Sequence, residues 1–293
     1  MATPTPQAGI LEPHCQVARS VGFRIAPEAD VAAALRTMRD ELSPGCALMG
    51  IGEPVVRIFG KKIPGMRPFP ALAGPGCSVP STQQALWFLI RAQDQGTLFD
   101  VSQNIRKLLG NAFIIEDTMD LFHYAGGRDL TRFEDGTENP EGEKAVNAAI
   151  VSEGPLAGSS FAVTQRWVHD LERFHRLPPE GRNHVIGRDA ETNEELEDAP
   201  DSAHVKRTAQ ESFEPESFMV RRSMPWAGNT RQGLEFLCFV ESLDRFERMM
   251  RRMVGEDDGI VDGLFRFSHP ITGGYYWLPP LKNGRLDLSA LGL

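Results

Sequence analysis

Three short segments of this chain carry side chains able to do acid–base or ligand chemistry. The first is Arg128-Asp129-Leu130-Thr131-Arg132-Phe133-Glu134-Asp135-Gly136-Thr137-Glu138-Asn139-Pro140. An Asp-Gly turn closed by Asn-Pro makes a poor helix and a poor strand. It reads as a rigid loop aiming one carboxylate, Asp135, and taken alone it also reads as a solvated surface turn. The second is Asp201-Ser202-Ala203-His204-Val205-Lys206-Arg207-Thr208, where His204 follows a strongly acidic stretch over 189–201. A lone histidine there is a candidate ligand or base, and equally a structural residue. The third is Phe218-Met219-Val220-Arg221-Arg222-Ser223-Met224-Pro225-Trp226, whose apolar lead-in suggests a strand delivering Arg221 into the interior, and which taken alone reads equally as a surface arginine pair. Val185-Ile186-Gly187-Arg188 is a similar apolar approach to a cation. An arginine so placed could grip a carboxylate-bearing ligand bidentately.

Other chemistries find little support. The 7 histidines form no HExxH or CxxCH pattern, and GxSxG, P-loop and GxGxxG fingerprints are missing. The 4 cysteines (Cys15, Cys46, Cys77, Cys238) are scattered, which predicts reduced thiols in a cytoplasmic protein. Glu134 beside Asp135 is a weak glycosidase signal, because neighbours in extended chain point opposite ways. A net charge of −9 offers no electrostatic footprint for nucleic acid. Residues 1–13 carry no lysine or arginine and no apolar h-region, so no secretory signal is expected, and no run reaches the roughly 18 apolar residues of a membrane span.

The elements that must hold these groups follow from periodicity. A strand is expected over 17–25, then a helix capped by Asp30 and stopped by Ser43-Pro44-Gly45, then a strand over 47–58. Residues 60–80 predict a long irregular connection. A strand at Leu86–Ile90 leads into a helix over 97–109 ended by Gly110. In the second half a strand is expected over 160–167, a helix from His169, a solvated acidic loop over 189–201, a strand over 234–240, and a helix from Leu243 ended by Gly255. Strand, helix, glycine stop thus occurs twice. The chain reads as α+β, two halves with mainly antiparallel sheets and packed helices, 1–150 and 151–293.

These segments also carry a family resemblance. Pro6 to Leu11, Leu98-Phe99-Asp100, Arg128 to Thr131, Asp135 to Pro140, Gln165 to Leu171, Val185 to Arg188, Ser202 to Thr208, Val220 to Pro225, Leu243 to Gly255 and Ile271-Thr272-Gly273 run in order along nearly the whole chain. Together they resemble dye-decolorising peroxidases of the bacterial B-type class. The resemblance implies two ferredoxin-like halves, haem b, and reduction of hydrogen peroxide through a ferryl intermediate that then oxidises dyes, phenolics or other small aromatic reductants. It implies His204 as proximal iron ligand with Asp262 as its acceptor, Asp135 as proton shuttle, and Arg221 as charge stabiliser. Arg188 would meet a haem propionate, with Glu138 near the same edge, where it could help hold a cation such as Mn²⁺. Relatives are commonly homo-oligomers, and some enter an encapsulating shell, which the tail Leu286–Leu293 could contact. The same resemblance leaves open a haem carrier or sensor with little turnover. Two residues depart from the family pattern. Arg132 replaces the first glycine of GxxDG, so it should strain or reshape the turn if φ there is positive, and it could lower the Asp135 pKa. Ser223 stands where relatives often carry an asparagine close to the distal site.

Overall fold

In the computed structural model, which describes residues 3–43 and 45–293, regular structure opens with β1 (Val17–Ile25). Asp30 accepts from the Ala33 N–H at 2.9 Å and starts α1 (Val31–Glu41). Such a cap contributes about 1 kcal/mol. Pro44, part of the expected helix stop, lies outside the described residues. β2 (Ala47–Ile51) is shorter than the strand expected over 47–58. Gly52 and Pro54 instead start a helix, α2 (Glu53–Ile58), because proline in a first turn forfeits no hydrogen bond. The connection over 60–80, expected to be irregular, contains a small hairpin of β3 (Leu72–Gly74) and β4 (Cys77–Val79). β5 (Leu86–Ala92) and α3 (Gln95–Leu109) match their patterns, with Asp94 capping and Gly110 at φ 57° ending the helix. β6 (Phe113–Phe122) has no counterpart among the expectations. It holds three acids, is mostly solvent-facing, and closes one end of the sheet, where charge guards an edge strand.

Next come α4 (Gly142–Ala149), at the end of the first half, and β7 (Ser160–His169), which opens the second. Asp170, not His169, begins the next helix, α5 (Leu171–His175), and α6 (Pro179–Ile186) follows it. Then come α7 (His204–Arg207), β8 (Val220–Arg221), β9 (Met224–Ala227), β10 (Gln232–Val240), α8 (Leu243–Met253), β11 (Ser268–Pro270) and β12 (Gly274–Leu278).

Ten strands form one antiparallel sheet along the path β6-β1-β5-β2-β12-β7-β10-β8, with β11 added to β7 and β9 to β10. Strands from before residue 150 lie on one side and those after it on the other. They meet where Trp277 of β12 pairs with Ile51 of β2. Both faces are covered. Leu86, Phe88 and Ile90 of β5 pack with Leu35, Met38, Leu98, Ile105, Phe246 and Met250 from α1, α3 and α8. The alternate residues Trp87 and Leu89 pack with Ala145, Ala148 and Ala149 of α4. Burial on both faces is why these strands read as unbroken apolar runs. The tail folds back: Leu286, Leu288 and Leu291 are buried in the same core.

Candidate active site

The Asp135 loop is anchored before it is aimed. Phe133 sits 6% exposed in a satellite core with Phe174, Val185 and Phe267, edge-on to Phe174 at 6.2 Å between ring centroids. Asp129 closes the turn. Its side chain accepts from the Thr131 N–H and hydroxyl at 2.9 and 2.5 Å, and its carbonyl accepts from the Arg132 N–H at 2.8 Å. Arg132 has φ 76°, so the expected strain is present: a side chain occupies a backbone region that favours glycine. Its expected electrostatic effect is not found. Arg132 is exposed, and its guanidinium lies 5.9 Å from the Tyr124 ring centre. Glu134 turns outward to Arg128 at 2.8 Å.

His204 is the first residue of α7, a four-residue helix too short to hold itself. Two anchors fix it. Arg207 grips Asp258 at 2.7 and 2.8 Å and donates to the Arg252 carbonyl. Asp262, with no exposed side-chain surface, lies 2.8 Å from His204 Nδ1 and also accepts from the Leu264 N–H at 2.8 Å. A carboxylate only accepts, so Nδ1 carries the proton and Nε2 keeps its lone pair. Gly187 packs against this helix. At φ 94°, a Cβ there would meet Val205 Cγ1 at 2.2 Å.

Arg221 ends β8 and is held by its backbone. Asn139 Oδ1 accepts from the Arg221 N–H at 2.7 Å, and Asn139 Nδ2 donates to the Arg221 carbonyl at 3.0 Å. Gln210 makes a parallel tie, donating to the Glu138 carbonyl and accepting from the Met219 N–H, each at 2.9 Å. Loop and strand are thereby locked together. Asn139 and Gln210 carried no recognisable signal in sequence, because an amide that bridges two distant backbones looks like any polar loop residue. The guanidinium Nε of Arg221 is buried without a hydrogen-bond partner.

Asp135, His204, Thr208 and Arg221 line both an apolar-walled cavity and a neighbouring polar cleft. The cavity walls are Trp167, Leu234, Phe236, Phe246, Met249 and Met253, a lining suited to a large flat apolar group. Arg188 and Glu138 lie in the cleft. Arg188 donates to Glu138 at 2.7 Å and to Glu195 at 2.6 Å, so part of the acidic stretch expected to be only solvated forms the cleft wall. Ser223 is not brought to either space. Its hydroxyl accepts from the Leu237 N–H at 3.3 Å, and it faces a small pocket that touches Asp135 beside His14 and His123. His169, assigned no role from sequence, lines the cavity. Among the described residues no cluster of three or more His, Cys, Asp or Glu side chains is arranged to hold a metal ion.

Asp135 is half-buried, and its carboxyl lies above the ordinary carboxylate range. Burial drives it up most. The Arg221 charge pulls it down, and the Asp129 charge pushes it up again. The expectation that Arg132 lowers it is therefore corrected: Arg132 faces Tyr124, and desolvation dominates.

Residues 126–283 match the family model described as Dyp-type peroxidase, C-terminal. A dye-decolorizing peroxidase of Mycolicibacterium paratuberculosis is 33% identical over 275 residues, covering 84% of this chain and 78% of that one. The chain belongs to the dye-decolorising peroxidase family. The structural likeness extends over its whole length. A putative Dyp-type peroxidase of Shewanella oneidensis superposes with a TM-score of 0.89 at 26% identity, covering 99% of this chain and 98% of that one. A Rhodococcus jostii DypB variant solved in complex with heme gives 0.83 at 27% identity, covering 95% and 97%. The α+β fold with its antiparallel sheet is thus that of dye-decolorising peroxidases, and the chain is a peroxidase in class.

Proposed function

We propose that this chain is a haem b peroxidase in which Asp135 and Arg221 handle hydrogen peroxide and His204 holds the iron. One observation carries the reading. A single apolar-walled cavity is lined at once by a histidine with its lone pair available, a carboxylate held above its usual range, and an arginine with an unpartnered buried Nε. The residues fit the group: the apolar walls suit a porphyrin, His204 Nε2 suits iron, and the polar cleft with Arg188 suits propionates. When bound, haem supplies the redox chemistry. The chain's own residues do the rest. Asp262, by accepting from Nδ1–H, fixes the His204 ring and raises its basicity. Asp135, as carboxylate, would take a proton from one peroxide oxygen and return it to the other, which leaves as water. Arg221 offers a permanent charge to the oxygen that becomes negative. Arg188 would exchange part of its pairing with Glu138 and Glu195 for a propionate. Ser223 acts on the far side of Asp135, by holding the β10 backbone.

Small aromatic reductants are the donors we propose, and the cytoplasm the compartment, since the cysteines are unpaired among the described residues. We also propose a homo-oligomer, for Ile114 and Ile115, on opposite faces at the start of β6 and ahead of its acids, stand 38% and 39% exposed, apolar surface a second copy would cover. The encapsulating shell gains no support from the tail, whose leucines serve this chain's own core. The test of function is the absorption spectrum of haem-loaded protein before and after one equivalent of hydrogen peroxide. A rapid Soret change, reversed by an added phenol or dye, is expected. A Soret band indifferent to peroxide would replace the enzyme with a haem carrier.

A further inference from the structure

We propose that His169 is a positioning residue for Asp135: it bridges Ser268 of β11 to Asp129 and so ties the Asp135 loop to the central sheet. Its consequence for turnover rests on the peroxidase reading above, while the tie itself stands on geometry. The His169 side chain is 6% exposed, with Nδ1 2.6 Å from Ser268 Oγ and Nε2 3.1 Å from Asp129 Oδ1. In the neutral ring, Nε2–H donates to the carboxylate and Nδ1 accepts the serine hydroxyl. Ser268 is 1% exposed and pairs with His169 across β11 and β7, so the sheet itself frames the imidazole. Asp129 in turn holds the loop through Thr131, through the Arg132 N–H, and through its own N–H donated to the Phe133 carbonyl at 3.0 Å. Four of the bonds that shape the turn ahead of Asp135 thus meet at Asp129, which His169 holds; Arg128 adds ties to the Arg132 carbonyl and Glu134, and the Asp135 N–H donates to the Gly127 carbonyl.

The electrostatics agree. Burial pushes the Asp129 carboxyl up, but the hydrogen bonds from His169 and Thr131 hold it below the usual range. Asp129 therefore presents a negative charge to Asp135, opposite in sign to that of Arg221. The His169 ring rests 5.8 Å from the Phe267 ring and lines the cavity that Asp135 and Arg221 share.

The test compares wild type, His169→Leu, His169→Gln and Ser268→Ala, all full-length and haem-loaded. Two readouts are needed: hydrogen–deuterium exchange of residues 128–136, and the pH profile of the peroxide-induced Soret change. Expected for His169→Leu are faster exchange confined to the loop, a reaction slowed roughly 10- to 100-fold, and an acid limb moved to lower pH as Asp129 loses its partner and takes up a proton. His169→Gln, whose amide can still donate to Asp129, should restore loop protection and most of the rate. Ser268→Ala should lie between. Unchanged loop exchange in His169→Leu overturns the proposal. So does faster exchange across the whole sheet with an unmoved pH profile, which marks a merely structural residue. If wild type itself ignores peroxide, the function reading fails, and the exchange readout alone still decides the tie.

Discussion

At the scale of single residues, two side chains set this site apart. Arg132 occupies φ 76° with its guanidinium on Tyr124. Glycine relieves that backbone strain and alanine does not. Arg132→Gly should therefore be more stable than Arg132→Ala by about 1 kcal/mol, read from urea midpoints at unchanged slope. Equal stabilities would mean the turn relaxes in both. Asp135 is the second. Its folded-state carboxyl is raised above the ordinary 3.8, chiefly by burial. A raised acid is favoured in its protonated form, so its contribution to stability is present below the unfolded value and lost as pH rises through the folded one. Asp135→Asn should thus gain stability over wild type at neutral pH and lose that advantage near pH 3, as thermal melts at both pH values would reveal. The rate of the peroxide reaction has the opposite dependence. It needs the carboxylate, so it should fall on acidification at a pH above that of an ordinary aspartate. A limb at or below 3.8 would contradict the desolvated environment.

At the scale of elements, the strands and helices with clean periodicity were legible: β1, β5, α1, α3, β10 and α8 stand where the apolar spacing and the Asp30 and glycine stops put them. The misreadings have physical causes. β6 is acidic and exposed because it is an edge, so no alternation marks it. α2 hides behind the residues that start it, Gly52 and Pro54, which look like breaks in a strand. α7 is invisible because four residues have no period; Arg207 and Asp262 hold it, and both ties are long-range. The same logic makes Gly187 a lever. A methyl group there would collide with Val205, next to His204, and would also oppose φ 94°. Gly187→Ala should lower stability by about 2 kcal/mol and weaken haem retention, since α7 must shift. Titration of the purified variant with haem, followed at the Soret band, checks this. Wild-type retention would mean α7 is held by Arg207 and Asp262 alone.

At the scale of the whole molecule, the site is an assembly of distant parts. Asp135 comes from the loop after β6, Arg221 from β8, and His204 from α7. The sheet that joins the two groups of strands sets their spacing. The sequence order of these three residues was readable through resemblance. So was their meeting at one haem; what was not readable is how they are held there, because that depends on Asn139, Gln210, His169 and Asp129 bridging segments far apart in the chain. Haem should add stability by mass action, raising the melting temperature as free haem increases above its dissociation constant. The most direct test of the account is stopped-flow absorption of haem-loaded wild type, Asp135→Ala and Arg221→Leu mixed with one equivalent of hydrogen peroxide. Wild type should change its Soret band at least about 100-fold faster than either variant, as expected when a proton shuttle or charge stabiliser is removed, with all three retaining haem. Equal rates in the three proteins would contradict the account.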